Sequence, residues 1–347
     1  MKTILIIGNS WASYNFIKHI NKDKYNLRII SKTNDFVYTP FLPKYLVSEF
    51  NISQSVPDTI QDEIIDVNFN EKTVYSNCRQ YKYDYIIFAI GANANTFNIP
   101  GIENCYCVKT LEDVKVLKKE LSEKDNVSII GLGPTGSEIV GYLLDQKKYN
   151  ITAIDALKMP LNSFHVDLQK KAIALWEKNN VKLQLGNPLI KVDKKYLYFK
   201  NGKKIMYDIA IFNGGLKNNL LTSKVLKKMD FDENTNGIPV NQYLSFKNNA
   251  FAIGDCSFTR SLPKTAQVAS QQGKWLAGYF NNDFRYKKFQ YIDRGQICYI
   301  GENKSIYQHK NNIFYGNLTK YLNNFIHVYN GINWNQKIEF IHNILFE

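Results

Sequence analysis

The run Val127-Ser128-Ile129-Ile130-Gly131-Leu132-Gly133-Pro134-Thr135-Gly136-Ser137-Glu138 constrains this chain more than any other stretch. Its apolar start reads as a strand buried on both faces of a parallel sheet. The three glycines then have separate tasks. Gly131 makes the turn, Gly133 lets the backbone approach a pyrophosphate, and Gly136 lets a helix pack against the strand. Helical residues run on to Leu144, and the strand Ile151-Thr152-Ala153-Ile154 ends in Asp155, twenty-four residues after Gly131. An acid at that offset accepts from both ribose hydroxyls and repels a 2′-phosphate, so the spacing selects NADH over NADPH.

A second unit of the same kind opens the chain. Thr3–Ile7 is a buried strand, and Phe16, Ile17 and Ile20 recur at helical spacing after Gly8-Asn9-Ser10-Trp11-Ala12-Ser13. Only Gly8 of the three glycines survives. Ser10 and Ser13 take the other places, and a serine hydroxyl can itself donate to phosphate. The next strand, Leu27–Ile30, ends in Ser31 where an acidic ribose ligand would stand. Asn34–Pro43 is aromatic and proline-rich and reads as a loop that cannot continue a helix. Tyr83–Gly91 is another buried strand ending in glycine, Pro100-Gly101 a turn, and Glu112–Leu121 a charged amphipathic helix. Lys182–Ile211 reads as short strands with a hairpin at Asn201-Gly202, and Tyr207–Phe212 leads into Asn213-Gly214-Gly215.

Further on, Phe251-Ala252-Ile253 delivers Gly254-Asp255, one carboxylate on a turn at the end of a strand. From Thr265 a helix is expected, with Ala266, Val268, Ala269, Leu276 and Ala277 on a small apolar face and the amides of Gln267, Gln271 and Gln272 offered to something neutral. Two dinucleotide units and this turn describe a protein that holds two dinucleotides. Hydride transfer between them is the chemistry that needs both.

Composition excludes other classes. The charge of +13 comes from lysines scattered among asparagines, tyrosines and isoleucines, with no basic stripe for nucleic acid. The five cysteines form no CxxC pair, so neither a disulfide framework nor a redox dithiol is expected. His19, His165, His309, His327 and His342 show no ligand spacing, and no metal is expected. No apolar run reaches eighteen residues. The first strand follows Met1-Lys2 directly, which leaves no expected targeting segment.

Several of these residues resemble the type II (alternative, non-proton-pumping) NADH:quinone oxidoreductases, within the FAD-dependent pyridine nucleotide oxidoreductases. The pieces that carry the resemblance are Tyr38-Thr39-Pro40-Phe41-Leu42-Pro43, Gly133–Glu138, Ala252–Cys256 and Pro263–Gln271. Ser31 is similar to the serine often found there in mitochondrial members. The resemblance implies an α/β fold with two Rossmann-like domains. Residues 1–108 and 235–286 would bind FAD, 109–234 NADH, and 287–347 would form a C-terminal amphipathic helical segment. It further implies that Gly8 and Ser10 lie at the FAD pyrophosphate, Thr39 and Pro40 by the isoalloxazine, Gly91 on the flavin-side loop, and Gly254-Asp255 at the ribityl chain. Gly131, Gly133, Thr135 and Gly136 would cradle the NADH pyrophosphate, with Glu138 near the nicotinamide half and Asp155 on the adenosine ribose. Gln267 and Gln271 would line a quinone pocket. The chain departs from the family pattern at Ser10, at Lys264 in place of a proline, and at Asn213-Gly214-Gly215 in place of Ala-Thr-Gly.

The implied reaction is ping-pong oxidation of NADH through FAD to a quinone, in respiratory electron transfer at a membrane surface, with a homodimer as an assembly open to it. A soluble NADH diaphorase or ferredoxin-reductase-like enzyme is the rival. Family members lie on the bilayer through C-terminal amphipathic helices, on the cytoplasmic side or at the mitochondrial inner membrane. Here Leu318, Tyr321, Leu322, Phe325, Ile326 and Tyr329 recur at helical spacing, as do Ile338, Phe340, Ile341, Ile344 and Leu345, with Trp334 between them. Peripheral, salt-sensitive attachment is the expectation.

Overall fold

The computed structural model describes residues 1–122, 125–260, 262–330, 337–338 and 340–342. In chain order the elements that matter here are β1 (Lys2–Ile7), α1 (Trp11–His19), β2 (Tyr25–Ser31), β3 (Thr59–Gln61), β4 (Tyr85–Phe88), β5 (Asn126–Ile130), α2 (Pro134–Asp145), β6 (Asn150–Asp155), α3 (Val166–Lys178), β7 (Lys182–Leu185) and β8 (Ile209–Phe212). They continue with β9 (Ser245–Lys247), β10 (Ala250–Ala252), α4 (Ala266–Asn281), β11 (Gln296–Gly301), β12 (Lys304–His309), β13 (Asn312–Gly316) and α5 (Asn317–Asn330). The chain folds as two compact units, 1–37 with 53–93 and 216–292, and 38–52 with 94–215 and 293–347.

The first unit is built on a sheet of order β9-β10-β4-β1-β2-β3, parallel except for the antiparallel pair at the β9 edge. Ile4, Leu5 and Ile6 are fully buried, as a central strand covered on both faces requires. Leu221 and Val225 pack into the same core as Leu5, Ile86, Phe88 and Ala252, which draws the segment from 216 onward into this unit. Helix α4 starts where Thr265 caps it by accepting from the Val268 N–H. A Cβ on Gly273 would stand 2.0 Å from the carbonyl oxygen of Ala12, so α1 and α4 touch backbone to backbone there. That contact explains the run of small residues on α4.

The second unit holds the all-parallel sheet β7-β6-β5-β8. The short strands between Leu189 and Met206 form an antiparallel sheet, with the expected hairpin at Asn201-Gly202. Of residues 34–43, read as a loop, Asp35–Val37 form a short antiparallel strand, and the rest go into a 3-10 turn (Thr39–Phe41) and the start of one helical turn (Leu42–Tyr45). Pro40 and Pro43 sit in the first turn of each, where no backbone donor is needed, so they start helix rather than forbid it.

The C-terminal segment is not helical throughout. β11, β12 and β13 make an antiparallel meander before α5 begins. Its first turn places Glu302 and Asn303 at φ 51° and 58°, the two-residue geometry that matches strand twist. The meander packs on α2 and α3. A Cβ on Gly141 would come within 2.6 Å of the Gly301 nitrogen, and the indole N–H of Trp176, wholly buried, donates to the Ile300 carbonyl at 3.0 Å. Of the second expected apolar stretch, Trp334, Ile344 and Leu345 lie outside the described residues.

Candidate nucleotide-binding sites

In the first unit, β1 ends in a turn made by Gly8 at φ 101°, where a Cβ would stand 2.6 Å from the carbonyl oxygen of Ala89. Ser10 caps α1. Its side chain accepts from the Ser13 N–H, and its own N–H donates to Ser13 Oγ at 2.7 Å. The hydroxyl placed where a glycine was expected thus organises a helix end of the kind whose N–H groups can meet an anion. Ser31 closes the turn from β2, its Oγ accepting from the Asn9 N–H at 3.2 Å. Asn9 Oδ1 is buried without a hydrogen-bond partner among the described residues.

The carboxylate turn stands at the end of β10. Gly254 at φ 73° and Asp255 form a 3-10 turn that runs to Cys256. Gln272, 1% exposed, accepts from the Gly254 N–H at 2.6 Å, and Ser257 Oγ donates to the Gly254 carbonyl at 2.8 Å. Lys264 donates to the Asp255 carbonyl at 2.5 Å and to Asn236 Oδ1 at 2.9 Å. Gly91, at φ 64°, has open space where a Cβ would be, and its carbonyl accepts from Asn219 Nδ2. Open backbone at Gly91, an orphaned acceptor on Asn9, a capped helix start and a braced carboxylate suit a flavin dinucleotide.

The nucleotide unit repeats the plan with more glycine. Gly131 turns at φ 89°, and a Cβ on Gly136 would lie 1.9 Å from the Gly131 carbonyl oxygen. Gly133 has nothing within 4 Å of a would-be Cβ, the free approach that a pyrophosphate needs. Pro134 and the exposed Thr135 begin α2. Asp155 accepts from the Leu132 N–H at 2.7 Å and from the Leu157 N–H at 2.8 Å, the same brace that Ser31 supplies in the other unit. Asn213 Nδ2 is a buried donor with no partner among the described residues. Such a group costs stability unless a ligand completes it, so these residues suit NADH.

Glu138 lies on α2 beside the buried Cys298. Burial pushes its carboxyl up to about 8, opposed by the N–H of Tyr299, so it is neutral at physiological pH. The buried thiol of Cys298 is pushed well up by burial and by Glu138. Thr39 and Pro40 fall in the second unit, with Glu138 and not with Gly8 and Asp255.

The two amides expected to line a quinone pocket, Gln267 and Gln271, are held by a single segment. Gln267 Oε1 accepts from the Tyr291 hydroxyl at 2.8 Å. Gln271 spends both ends on Ile292, accepting from its N–H and donating to its carbonyl at 2.9 Å each. Gln272, one residue on, proves to be the brace of the Asp255 turn. Asn9 and Asn213 were missed as site residues. Each directly follows a buried strand or its glycine, at the carboxyl end of a sheet strand where ligands of such folds are met.

A pyridine nucleotide-disulphide oxidoreductase model matches residues 2–273. A probable NADH dehydrogenase of Dictyostelium discoideum is 28% identical, the match covering 88% of this chain and 80% of that protein. A probable mitochondrial NADH-ubiquinone oxidoreductase of Schizosaccharomyces pombe is 26% identical over 81% of this chain, which spans only 62% of that relative's length. The fold matches NDH2 from Plasmodium falciparum, solved in complex with NADH, with a TM-score of 0.93 at 21% identity, covering 99% of this chain and 97% of that one. The expected architecture of two Rossmann-type domains is therefore borne out, and the chain belongs to the pyridine nucleotide-disulphide oxidoreductase family.

Proposed function

We propose that this chain oxidises NADH and passes the electrons, through bound FAD, to a quinone. The observation that carries the reading is the duplicated turn, Gly8–Ser31 in one unit and Gly131–Asp155 in the other, each at the carboxyl ends of a parallel sheet. FAD, when bound, supplies the hydride acceptor and the relay of two electrons to the quinone. The protein supplies position and charge. Gly133 and the N–H groups at the start of α2 hold the NADH pyrophosphate, Asp155 holds the ribose, and the Asn213 amide donates to an acceptor on the dinucleotide. Gly8, Ser10 and Asp255 hold the flavin. Glu138, whose carboxyl is raised to about 8, can donate a proton beside the nicotinamide half, becoming a carboxylate as it does, and in its protonated form it puts no charge in the resting site. Gln267 serves the quinone, while Gln271 acts as a positioning residue that fixes residues 291–292. The flavin domain is assigned to 1–108 with 235–286 and the NADH domain to 109–234; the compact units divide the chain differently, grouping 38–52 and 94–108 with 109–215, and 216–234 with 1–37.

The reading includes peripheral attachment to a membrane, on the cytoplasmic side or at the mitochondrial inner membrane. No helix among the described residues is long and apolar enough to cross a bilayer. On α5 the usual order of faces is reversed: Thr319, Asn323 and His327 are buried, while Leu318, Tyr321, Phe325 and Tyr329 are each at least 65% exposed. An outward apolar stripe of this kind suits the bilayer interface, and the net charge of +13 favours anionic lipid. A second copy of the chain is the other occupant that would cover it.

The test is spectroscopic. Protein purified with added FAD should be yellow, bleach on anaerobic mixing with NADH, and recover its absorbance when quinone is added. Protein that takes up no flavin overturns the reading. Flavin that NADH reduces but quinone does not re-oxidise moves it to a soluble diaphorase.

A further inference from the structure

The parallel sheet of the second unit sets the direction in which a dinucleotide lies on it. Asp155 ends β6, Gly131 follows β5, and β8 is the next strand in the order β7-β6-β5-β8. With the adenosine ribose on Asp155 and the pyrophosphate at Gly131–Gly136, the nicotinamide end falls over the end of β8, two strand spacings or about 10 Å from β6. Asn213, Gly214 and Gly215 stand there. The Asn213 N–H donates to the Ile130 carbonyl at 2.7 Å, and a Cβ on Gly131 would lie 2.5 Å from the Asn213 carbonyl oxygen, so this strand end adjoins the pyrophosphate cradle.

One loop of the same unit closes on it. The Asn95 N–H donates to the Gly215 carbonyl at 2.9 Å, and Ile99 packs against the core that holds Ile130 and Phe212. Between these anchors, Phe97 and Asn98 stand at φ 50° and 53°, left-handed backbone that a bulky residue adopts only where its surroundings impose it. The Asn95 side chain holds the bend by accepting from the Phe97 N–H at 2.9 Å. The bend sets the Phe97 ring over Gly214. A Cβ on Gly214 would stand 3.0 Å from that ring and 2.5 Å from the ring of Phe212, and Gly214 has no positive φ, so glycine here makes room rather than a turn. Phe97 is nevertheless 58% exposed. Core packing does not account for a strained backbone under a ring so open to solvent, whereas a ligand laid against the ring would.

We propose that Phe97 is a binding residue for the nicotinamide end of NADH, an apolar wall that fixes the nicotinamide riboside over the end of β8. The inference rests on the NADH reading of this site. Nicotinamide is a flat ring that carries a carboxamide, and the strand end offers a partner for each part. The Phe97 ring covers the flat part, and the unpartnered Asn213 Nδ2 donates to the carboxamide oxygen.

The full chain, loaded with FAD, is titrated in a calorimeter with NAD⁺ and with ADP, which shares the adenosine and the pyrophosphate but lacks the nicotinamide riboside. Wild type should bind both. Phe97→Asn keeps a residue that accepts left-handed backbone and removes the ring; it should leave the melting temperature and the ADP affinity unchanged and weaken NAD⁺ roughly five- to tenfold. Phe97→Tyr should restore the wild-type affinity for NAD⁺. An NAD⁺ affinity unchanged in Phe97→Asn, or an equal loss for NAD⁺ and ADP, overturns the proposal and leaves the NADH reading standing. Wild type that binds neither nucleotide overturns both.

Discussion

Asp155 shows how one side chain carries two tasks. Its carboxylate braces the Leu132 and Leu157 amides, and the same charge would face the 2′-phosphate of NADPH. Like charges at close range in a partly desolvated site cost about 1–3 kcal/mol, or roughly ten- to a hundredfold in specificity. Asp155→Ser keeps an acceptor for the turn, as Ser31 does in the other unit, and should shrink the preference for NADH by that factor. Equal specificity constants for the two nucleotides in the wild type would show that Asp155 does not read the ribose. Glu138 makes a different prediction, because its carboxyl is raised from 4.5 to about 8 in the folded chain. Between those values the folded state holds a proton that the unfolded state has lost, so stability falls as pH rises through this window. Glu138→Gln removes that slope. Without ligands, its melting temperature relative to wild type should be higher at pH 9 than at pH 5 by about 2 °C or more. A constant difference across pH would mean the carboxyl is not desolvated.

At the scale of elements, α5 is the informative one. Its inner face meets the segment 38–52 through His327, whose Nδ1 lies 3.2 Å from the Tyr38 hydroxyl in a cluster with Phe41 and Phe340. Burial, and then the nearby Lys44 charge, lower the His327 pKa to about 3. The imidazole is neutral in the fold, while the unfolded chain protonates near 6.5. Stability is therefore complete above that value and drains as pH falls from about 6.5 toward 3. His327→Gln should flatten the loss of thermal stability between pH 7 and pH 5, followed by circular dichroism. A wild type equally stable at both would remove the argument. The outer face is tested by Leu318→Ser with Phe325→Ser, which should leave the circular dichroism spectrum unchanged and abolish flotation with anionic liposomes at low salt. Flotation that survives would place attachment elsewhere, and a shift from dimer to monomer in the variant would assign the stripe to a second copy.

For the whole molecule, the flavin reading stands or falls on the first unit. Asp255→Ala should give folded protein that has lost most of its flavin absorbance while still binding NADH, because the Gln272 and Ser257 braces hold the turn through the backbone of Gly254 and not through the carboxylate. Loss of NADH binding as well would mean the substitution unfolds the chain. Both Rossmann units, their order along the chain, the hairpin at Asn201-Gly202 and the helix from Thr265 could be read from the residues alone. Each rests on local rules: apolar runs of strand length, glycines where only a positive φ closes the turn, a cap at a helix start. The same rules misread residues 34–43, where proline position within the turn decides between loop and helix, and passed over β11–β13. The alternation of Gln296–Tyr299 is short, and its burial comes from α2 and α3, far away in sequence. Which glutamine braces the Asp255 turn, which asparagine is left as an orphan and which face of α5 looks outward were settled by packing between segments tens to hundreds of residues apart. Periodicity states that a helix has two faces. Only the three-dimensional neighbours decide which of them is covered, and on α5 they cover the polar one.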